Sequence, residues 1–336
     1  MSAKPVLGIT MGDVNGVGPE ILAKALARPD VAAACTPVVF GDPAVLEHAR
    51  RFAPGCPEPL GVPEAQMTPP GYVAVVDAGY PAPAVHAGTQ DTAAGRSAVE
   101  WVKGAVAATL AGTLEGIVTC PISKACIHQA GYRYSGHTEL IAEMTGSADY
   151  RMCLFAGAMR VVHITSHLSL REALRAVSRD RIMTSVKVGH EALLRLGLER
   201  PRIAVAGLNP HAGEGGAFGN EEAREIAPAI KACRDAGLPC SGPYPPDTVF
   251  RRMRAGEFDM VVAMYHDQGH IPMKLIAMDE GVNVTLGIPI VRTSVDHGTA
   301  FDIAGRGIAR EHSLCAAVTL AALLARRHEP LAGSGA

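Results

Sequence analysis

Apolar residues along this chain follow two rhythms. Short β-branched runs recur at residues 5–10, 37–40, 116–120, 159–165, 202–207 and 260–264, each bounded by glycine, proline or polar positions. Runs of this length and composition predict buried strands. Between them the apolar positions step by three and four. The clearest case is Thr92–Leu110, where Ala98, Val99, Val102, Ala105, Val106 and Leu110 mark one helical face. Shorter helices are predicted over residues 21–27, 43–52 and 140–144, and another starts at Pro121-Ile122-Ser123-Lys124. Pro19 suits the first turn of its helix, where a missing N–H costs nothing. Residues 53–83, rich in Pro and Gly around an apolar run at 72–76, are expected to be connective. The tail at 331–336 is expected to fray. Alternation of strand and helix predicts an α/β fold with a mainly parallel sheet. A chain of 336 residues exceeds what one core usually serves, so two lobes are expected.

Composition narrows the function classes. With 48% hydrophobic and 19% charged residues and a formal net charge of -2, the chain is an ordinary globular one. It lacks the basic footprint of a nucleic-acid or membrane-surface binder. No apolar run reaches membrane-spanning length, and the opening has no signal-peptide core, so a cytoplasmic location is expected. Eight cysteines, spread from Cys35 to Cys315 with no Cys-x-x-Cys pair, are expected as free thiols.

The chemistry concentrates between residues 261 and 307. The strand at 260–264 is followed by Tyr265-His266-Asp267-Gln268-Gly269-His270, expected as a loop. The strand at 159–165 is followed by Ser166-His167, and that at 202–207 by Leu208-Asn209-Pro210-His211. Each strand thus delivers a histidine near its carboxyl end, and in a parallel sheet those ends share one edge. One such histidine is an ordinary loop residue. Three in register, His167, His211 and His266, predict a divalent-metal site suited to zinc, cobalt or nickel. Lys274, Asn283 and Arg292 follow in successive short runs, and a lysine and an arginine beside a metal imply an anionic substrate. Gly136-His137-Thr138-Glu139 opens a helix and has two readings: an anion site at the free N–H groups, or plain N-capping by Thr138 with His137 in solvent. The glycines at 12, 16 and 18 match neither dinucleotide nor P-loop spacing. Turn packing accounts for them at least as well as ligand contact. His163 is expected in the core without a role, and His48, His190, His312 and His328 on helix surfaces.

Taken together, GDVNGVGPE, CPISK, GHTE, TSHLSLREA, GLNPHAGEGG with its following NEE, PPDT, YHDQGH and GVNVTLGIPIVRTSVDHGTAFDIAGRG resemble the 4-hydroxythreonine-4-phosphate dehydrogenases of pyridoxal phosphate biosynthesis, over nearly the whole chain. The resemblance implies two α/β/α lobes with a cleft between them, like isocitrate and isopropylmalate dehydrogenases and unlike a standard Rossmann fold. We place the first lobe at 1–135 plus 280–336 and the second at 136–279. It also implies a metal on His167, His211 and His266, with zinc ahead of magnesium or cobalt, and a homodimer whose site draws ligands from both subunits. Substrate positions map to His137, Thr138, Lys274, Asn283 and Arg292. Contacts to NAD (or NADP) are expected at Asn283, Leu286, Gly287, Asp296 and Thr299.

The implied reaction oxidises the 3-hydroxyl of 4-(phosphooxy)-L-threonine and then loses carbon dioxide, giving 3-amino-2-oxopropyl phosphate. Asp247 and Lys274 are the candidates for removing the hydroxyl proton. The chain departs from the biosynthetic pattern at Leu168-Ser169-Leu170, where serine replaces the usual proline. The segments around Arg151-Met152-Cys153 and Val161-Val162-His163-Ile164 look more like a catabolic branch acting on 4-phosphorylated threonate or erythronate. Readings from another class are a non-catalytic metal- or phosphate-binding protein and a zinc hydrolase on the same scaffold.

Overall fold

The structure, a computed structural model, describes residues 4–277 and 280–326. His328 and the tail at 331–336 lie outside the described residues. The strands are β1 (Val6–Thr10), β2 (Thr36–Phe40), β3 (Glu58–Gly61), β4 (Tyr72–Val76), β5 (Gly116–Thr119), β6 (Arg151–Ala156), β7 (Met159–His163), β8 (Ile203–Ala206), β9 (Cys240–Tyr244), β10 (Met260–Ala263), β11 (Val282–Leu286) and β12 (Arg292–Val295). They belong to two compact units: residues up to 148 together with 288–325, and residues 149–287. The expected divides at 135/136 and 279/280 differ from these by about a helix and a strand. The helix His137–Met144 packs on Thr92–Leu110 and stays with the first unit. Strand β11 pairs with β6 and stays with the second.

In the first unit the strand order is β3-β4-β2-β1-β5-β12, and all pairings are parallel. Leu7, Ile9, Val38, Val39, Ile117 and Val118 are fully buried, as strands covered on both faces must be. Helix Thr92–Leu110 starts where expected. Its cap, Asp91, accepts a hydrogen bond from Ala94 N, and Trp101 buries its ring while donating Nε1–H to Asp77 O and Tyr80 O. Residues 53–83 are more than a connection, because β3 and β4 extend the sheet there. Pro59 inside β3 hid that strand; proline is tolerated in it because β3 lies at the edge.

The opening motif is a packed turn. A β-carbon at Gly12 would stand 2.3 Å from Pro121 O, and one at Gly16 would stand 2.8 Å from Thr299 O. Packing, the first of the two readings, accounts for the glycines. The same turn buries Asp13 completely. Its Oδ1 accepts from Asn15 N (3.0 Å), while Oδ2 meets no partner among the described residues. Burial pushes this carboxyl up to about 6, partly opposed by the Asn15 amide. A carboxyl raised in the folded state favours folding below its unfolded pKa and loses that contribution as pH rises through the folded one. Asp13→Asn is therefore expected to stabilise the protein at pH 7 by roughly 1–3 kcal/mol and to flatten the stability profile between pH 4 and 6. Denaturant midpoints at both pH values measure this. An unchanged profile would mean that Asp13 is not the titrating group.

The second unit has the order β11-β6-β7-β10-β8-β9. Strands β7, β10, β8 and β9 run parallel, but β6 is antiparallel to both β7 and β11. This sheet is thus mixed, because the two-residue turn after Ala156 folds β6 back on β7. Pairing of Val261 with Val161 and with Ala204 sets β7, β10 and β8 side by side in close register. Their carboxyl ends share one edge, the condition needed by His167, His266 and His211. All eight cysteines are free and buried. No described helix is long and apolar enough to cross a membrane.

Candidate active-site residues

The segment after β10 is helical, not a loop: His266–Ala277 is one helix with Pro272 inside it. The apolar strand ends abruptly and the polar run HDQGH hides a helix start, which is why a loop was expected. The helix sets His266, His270 and Lys274 four residues apart on one face. His167 lies beside it, its ring centroid 5.9 Å from that of His266. Gln268 is buried and ties two strand ends together. Its Oε1 accepts from Met264 N (2.7 Å) and its Nε2 donates to Gly207 O (2.8 Å).

His211 sits in an unusual backbone. Residues 211–215 all have positive φ, including His211 (54°), Ala212 (57°) and Glu214 (43°). Non-glycine residues held in this region cost roughly 1 kcal/mol or more each. Such strain concentrates at functional sites. Buried Glu222 holds the turn in place. Its Oε1 accepts from Leu208 N and Asn209 N (both 2.8 Å), and its Oε2 accepts from Asn209 Nδ2 (2.9 Å). Burial pushes the Glu222 carboxyl up, and the amide donors outweigh that, leaving it below the usual carboxylate range. Glu222→Ala strands those donors and is expected to cost about 2–4 kcal/mol in chemical denaturation. A change under roughly 0.5 kcal/mol, the ordinary scatter of surface substitutions, would remove Glu222 from this role.

Two of the three expected ligands carry the support that metal-binding imidazoles need. His211 Nδ1 lies 2.7 Å from Glu214 Oε2, and His266 Nδ1 lies 2.7 Å from Asp267 Oδ1. A carboxylate only accepts, so each Nδ1 carries a proton, and in the neutral ring each Nε2 is left as a lone pair for an ion. His167 and His266 are brought together, and the His211 ring stands edge-on to that of Phe218. Among the described residues no group of three His, Cys, Asp or Glu side chains is arranged to hold a metal within one chain. Lys274 and Asp247 are both exposed. Asp247 lies in the first turn of helix Pro246–Arg254. Asn283 and Leu286 lie on β11, with exposed Gly287 after it. Asn283 Oδ1 is buried with no partner among the described residues.

In the first unit, His137, Thr138 and Arg292 come together. Arg292, on β12, is 3% exposed. Its Nη2 donates to Thr119 Oγ1 (2.8 Å) and its Nη1 reaches Thr138 Oγ1 at 3.5 Å. Thr138 does not cap its helix. The cap residue is Gly136, with no side-chain bond, and Thr138 turns toward Arg292 instead. Nor is His137 in solvent: its Nε2 is buried without a partner among the described residues. Burial, and after it the charge of Arg292, holds His137 well below the usual imidazole range. Burial brings Arg292 down to about 10, opposed by Glu139, so the guanidinium stays charged at neutral pH. A helix start, a buried guanidinium and a hydroxyl together have the chemistry to receive an anion. Asp296 follows β12, and Thr299 packs its backbone on the opening turn, accepting from Val17 N (2.9 Å).

His163 and His270 were not assigned roles from the sequence. Both are buried, and His270 Nδ1 lies 3.1 Å from His163 Nε2. Burial first, then the neighbouring imidazole, brings His163 down to about 3 and His270 to about 4. The spacing His266-x-x-x-His270, four residues on one helical face, was the signal available for the second of them.

Residues 33–321 match the family model described as pyridoxal phosphate biosynthetic protein PdxA. The chain is 44% identical to a D-threonate 4-phosphate dehydrogenase of Cupriavidus necator, covering 96% of this chain and 98% of that one. It is 46% identical to a 4-hydroxythreonine-4-phosphate dehydrogenase of Desulfosudis oleivorans, covering 96% of each. Among solved structures, a 4-hydroxythreonine-4-phosphate dehydrogenase from Klebsiella pneumoniae superposes with a TM-score of 0.85 at 42% identity, covering 96% of this chain and all of that one. With the ordered motifs and the α/β architecture, these matches place the chain in the family of the pyridoxal phosphate biosynthetic protein PdxA, a family of dehydrogenases.

Proposed function

We propose that the protein catalyses NAD-dependent, divalent-metal-dependent oxidative decarboxylation of a 4-phosphorylated 3-hydroxy acid, with 4-(phosphooxy)-L-threonine as substrate. The observation that carries this is the buried Arg292 guanidinium held by Thr119 and facing the start of the helix His137–Met144. A buried cation with hydroxyl and helix N–H groups beside it suits a phosphate or carboxylate and little else. His167, His211 and His266 would hold the metal, zinc in the first instance. The carboxylate partners of His211 and His266 suit that role. Bound there, a divalent ion supplies Lewis acidity toward the substrate oxygens.

The remaining assignments concern this chain's own groups. His137 and Thr138 would orient the anion, with His137 neutral. The unpartnered Oδ1 of Asn283 offers an acceptor to a substrate ammonium or hydroxyl. Asp247 and Lys274 are the two candidates for taking the hydroxyl proton. Asn283, Leu286, Gly287, Asp296 and Thr299 are proposed to contact the dinucleotide. A homodimer that completes the ligand set across its interface fits a chain in which no described group of three such side chains is arranged to hold a metal, and a cytoplasmic setting fits eight free thiols.

A second reading, oxidation of 4-phosphothreonate, is favoured by relatives named D-threonate 4-phosphate dehydrogenase at 40–45% identity. Ser169 does not separate the two readings. It caps helix Leu170–Ala176 in a capping box with Glu172, a local reason for serine that involves no substrate. The test is NADH absorbance from zinc-supplemented enzyme given phosphothreonine and phosphothreonate in parallel. Preference for the amine supports the first reading and preference for the acid the second. NADH from neither overturns both.

A further inference from the structure

The motif Tyr265-His266-Asp267-Gln268-Gly269-His270 contains more than one expected ligand. The ring of His270 lies flat on that of His266, centroids 3.7 Å apart and planes within 10°. In-plane lone pairs of rings stacked this way lie in separate, nearly parallel planes, so the two imidazoles cannot converge on one ion as tetrahedral ligands do. His270 is thus a neighbour of the ligand and not a fourth ligand. Behind it stands His163, centroid 4.7 Å away, whose Nδ1 lies 3.2 Å from Met152 O.

Hydrogen-bond logic fixes the protons along this line. A carbonyl only accepts, so His163 Nδ1 carries hydrogen. Burial opposes a charged ring, so His163 Nε2 is a bare lone pair. His270 Nδ1, 3.1 Å from it, must then be the donor. The approach is possible only because residue 269 is glycine: a β-carbon there would stand 2.4 Å from His163 Nε2 and 2.7 Å from a methyl of Val161. Three elements, β6 through Met152, β7 through His163 and the helix His266–Ala277, therefore lock one buried imidazole pair in one tautomer each.

We propose that His163 and His270 are positioning residues: a tautomer-locked imidazole pair, anchored on the Met152 carbonyl, that sets the ring plane of His266. Asp267 holds one edge of His266 and His270 holds its face, so the ring is oriented before any ligand arrives. The proposal rests on the reading of His266 as a metal ligand. It gives Gly269 a reason as specific as that of the histidines.

The test uses the full-length protein and two readouts other than activity. Zinc affinity is measured by chelator competition for wild type, His266→Ala, His163→Phe and His270→Leu. The last two are expected to weaken zinc about tenfold or more, the usual effect of an outer partner of a ligating histidine, and His266→Ala to lose it. Separately, long-range ¹⁵N NMR of the metal-free wild type at neutral pH is expected to show His163 and His270 both as Nδ1–H tautomers. In His163→Phe the Nε2–H form of His270 is expected to appear. An Nε2–H signal from either ring of the wild type overturns the proposal even if neither variant folds. So does wild-type zinc affinity in folded His163→Phe and His270→Leu, provided that His266→Ala has lost it. Undiminished zinc binding by His266→Ala instead overturns the ligand assignment on which the proposal stands.

Discussion

His211→Ala is expected to abolish turnover, by roughly a thousandfold or more, with the fold intact. The magnitude follows from the ion that His211 would help to hold, which is worth several kcal/mol of charge stabilisation in the reaction. The fold should survive because the His211 side chain is 61% exposed and its polar partner, Glu214, is 59% exposed. Alanine also has the same β-carbon penalty at φ 54°, so the left-handed turn is no worse after the change. That turn is held by Glu222 from below, and Glu222 is untouched. Metal content and circular dichroism, measured beside NADH production, separate ligand loss from unfolding. Unchanged turnover in a metal-depleted variant would remove the metal from the reaction.

Arg292→Lys is expected to reduce kcat/KM for the phosphorylated substrate by about 10²–10³-fold, or roughly 3–4 kcal/mol. Lysine keeps the charge but not the planar fork. Thr119 Oγ1 loses a 2.8 Å donor, and the guanidinium's second arm toward Thr138 is gone. A compact, strongly hydrated ammonium is also harder to bury than a guanidinium. If charge alone mattered, lysine would serve nearly as well, and a loss below about fivefold, or ~1 kcal/mol, would support that simpler view. Arg292 is brought down only to about 10. Its cation is lost as pH rises through that value, so its contribution should be flat from pH 6 to 8 and fall above about 9. Direct binding of inorganic phosphate, measured by calorimetry across that range, gives the same quantity without turnover.

Much of the layout was legible in the residues. Helix Thr92–Leu110 could be bounded from its sequence because a long 3.6-residue stripe and a capping aspartate agree. The buried parallel strands were legible because burial on both faces demands continuous apolar runs. Strand β3 was not, since a four-residue edge strand containing Pro59 has too little apolar surface to leave a pattern. The helix at His266–Ala277 was not either, because its first turns are polar and glycine-containing and its interior holds Pro272; packing, not propensity, makes it helical.

For the site, the order of motifs and the histidine after each strand are properties of the chain itself. They determined the family, the dehydrogenase class and the edge of the sheet to which the three histidines are delivered, because side-chain type and strand direction suffice for that. Tertiary structure alone decided which of those residues touch. It set Thr138 toward Arg292 instead of its own helix end, enclosed the Nε2 of His137, brought His167 beside His266, and brought His163 from another strand onto His270. These depend on contacts between residues up to 154 positions apart, whose geometry follows from sheet register and from where a glycine leaves room, and neither is encoded in any local stretch of sequence.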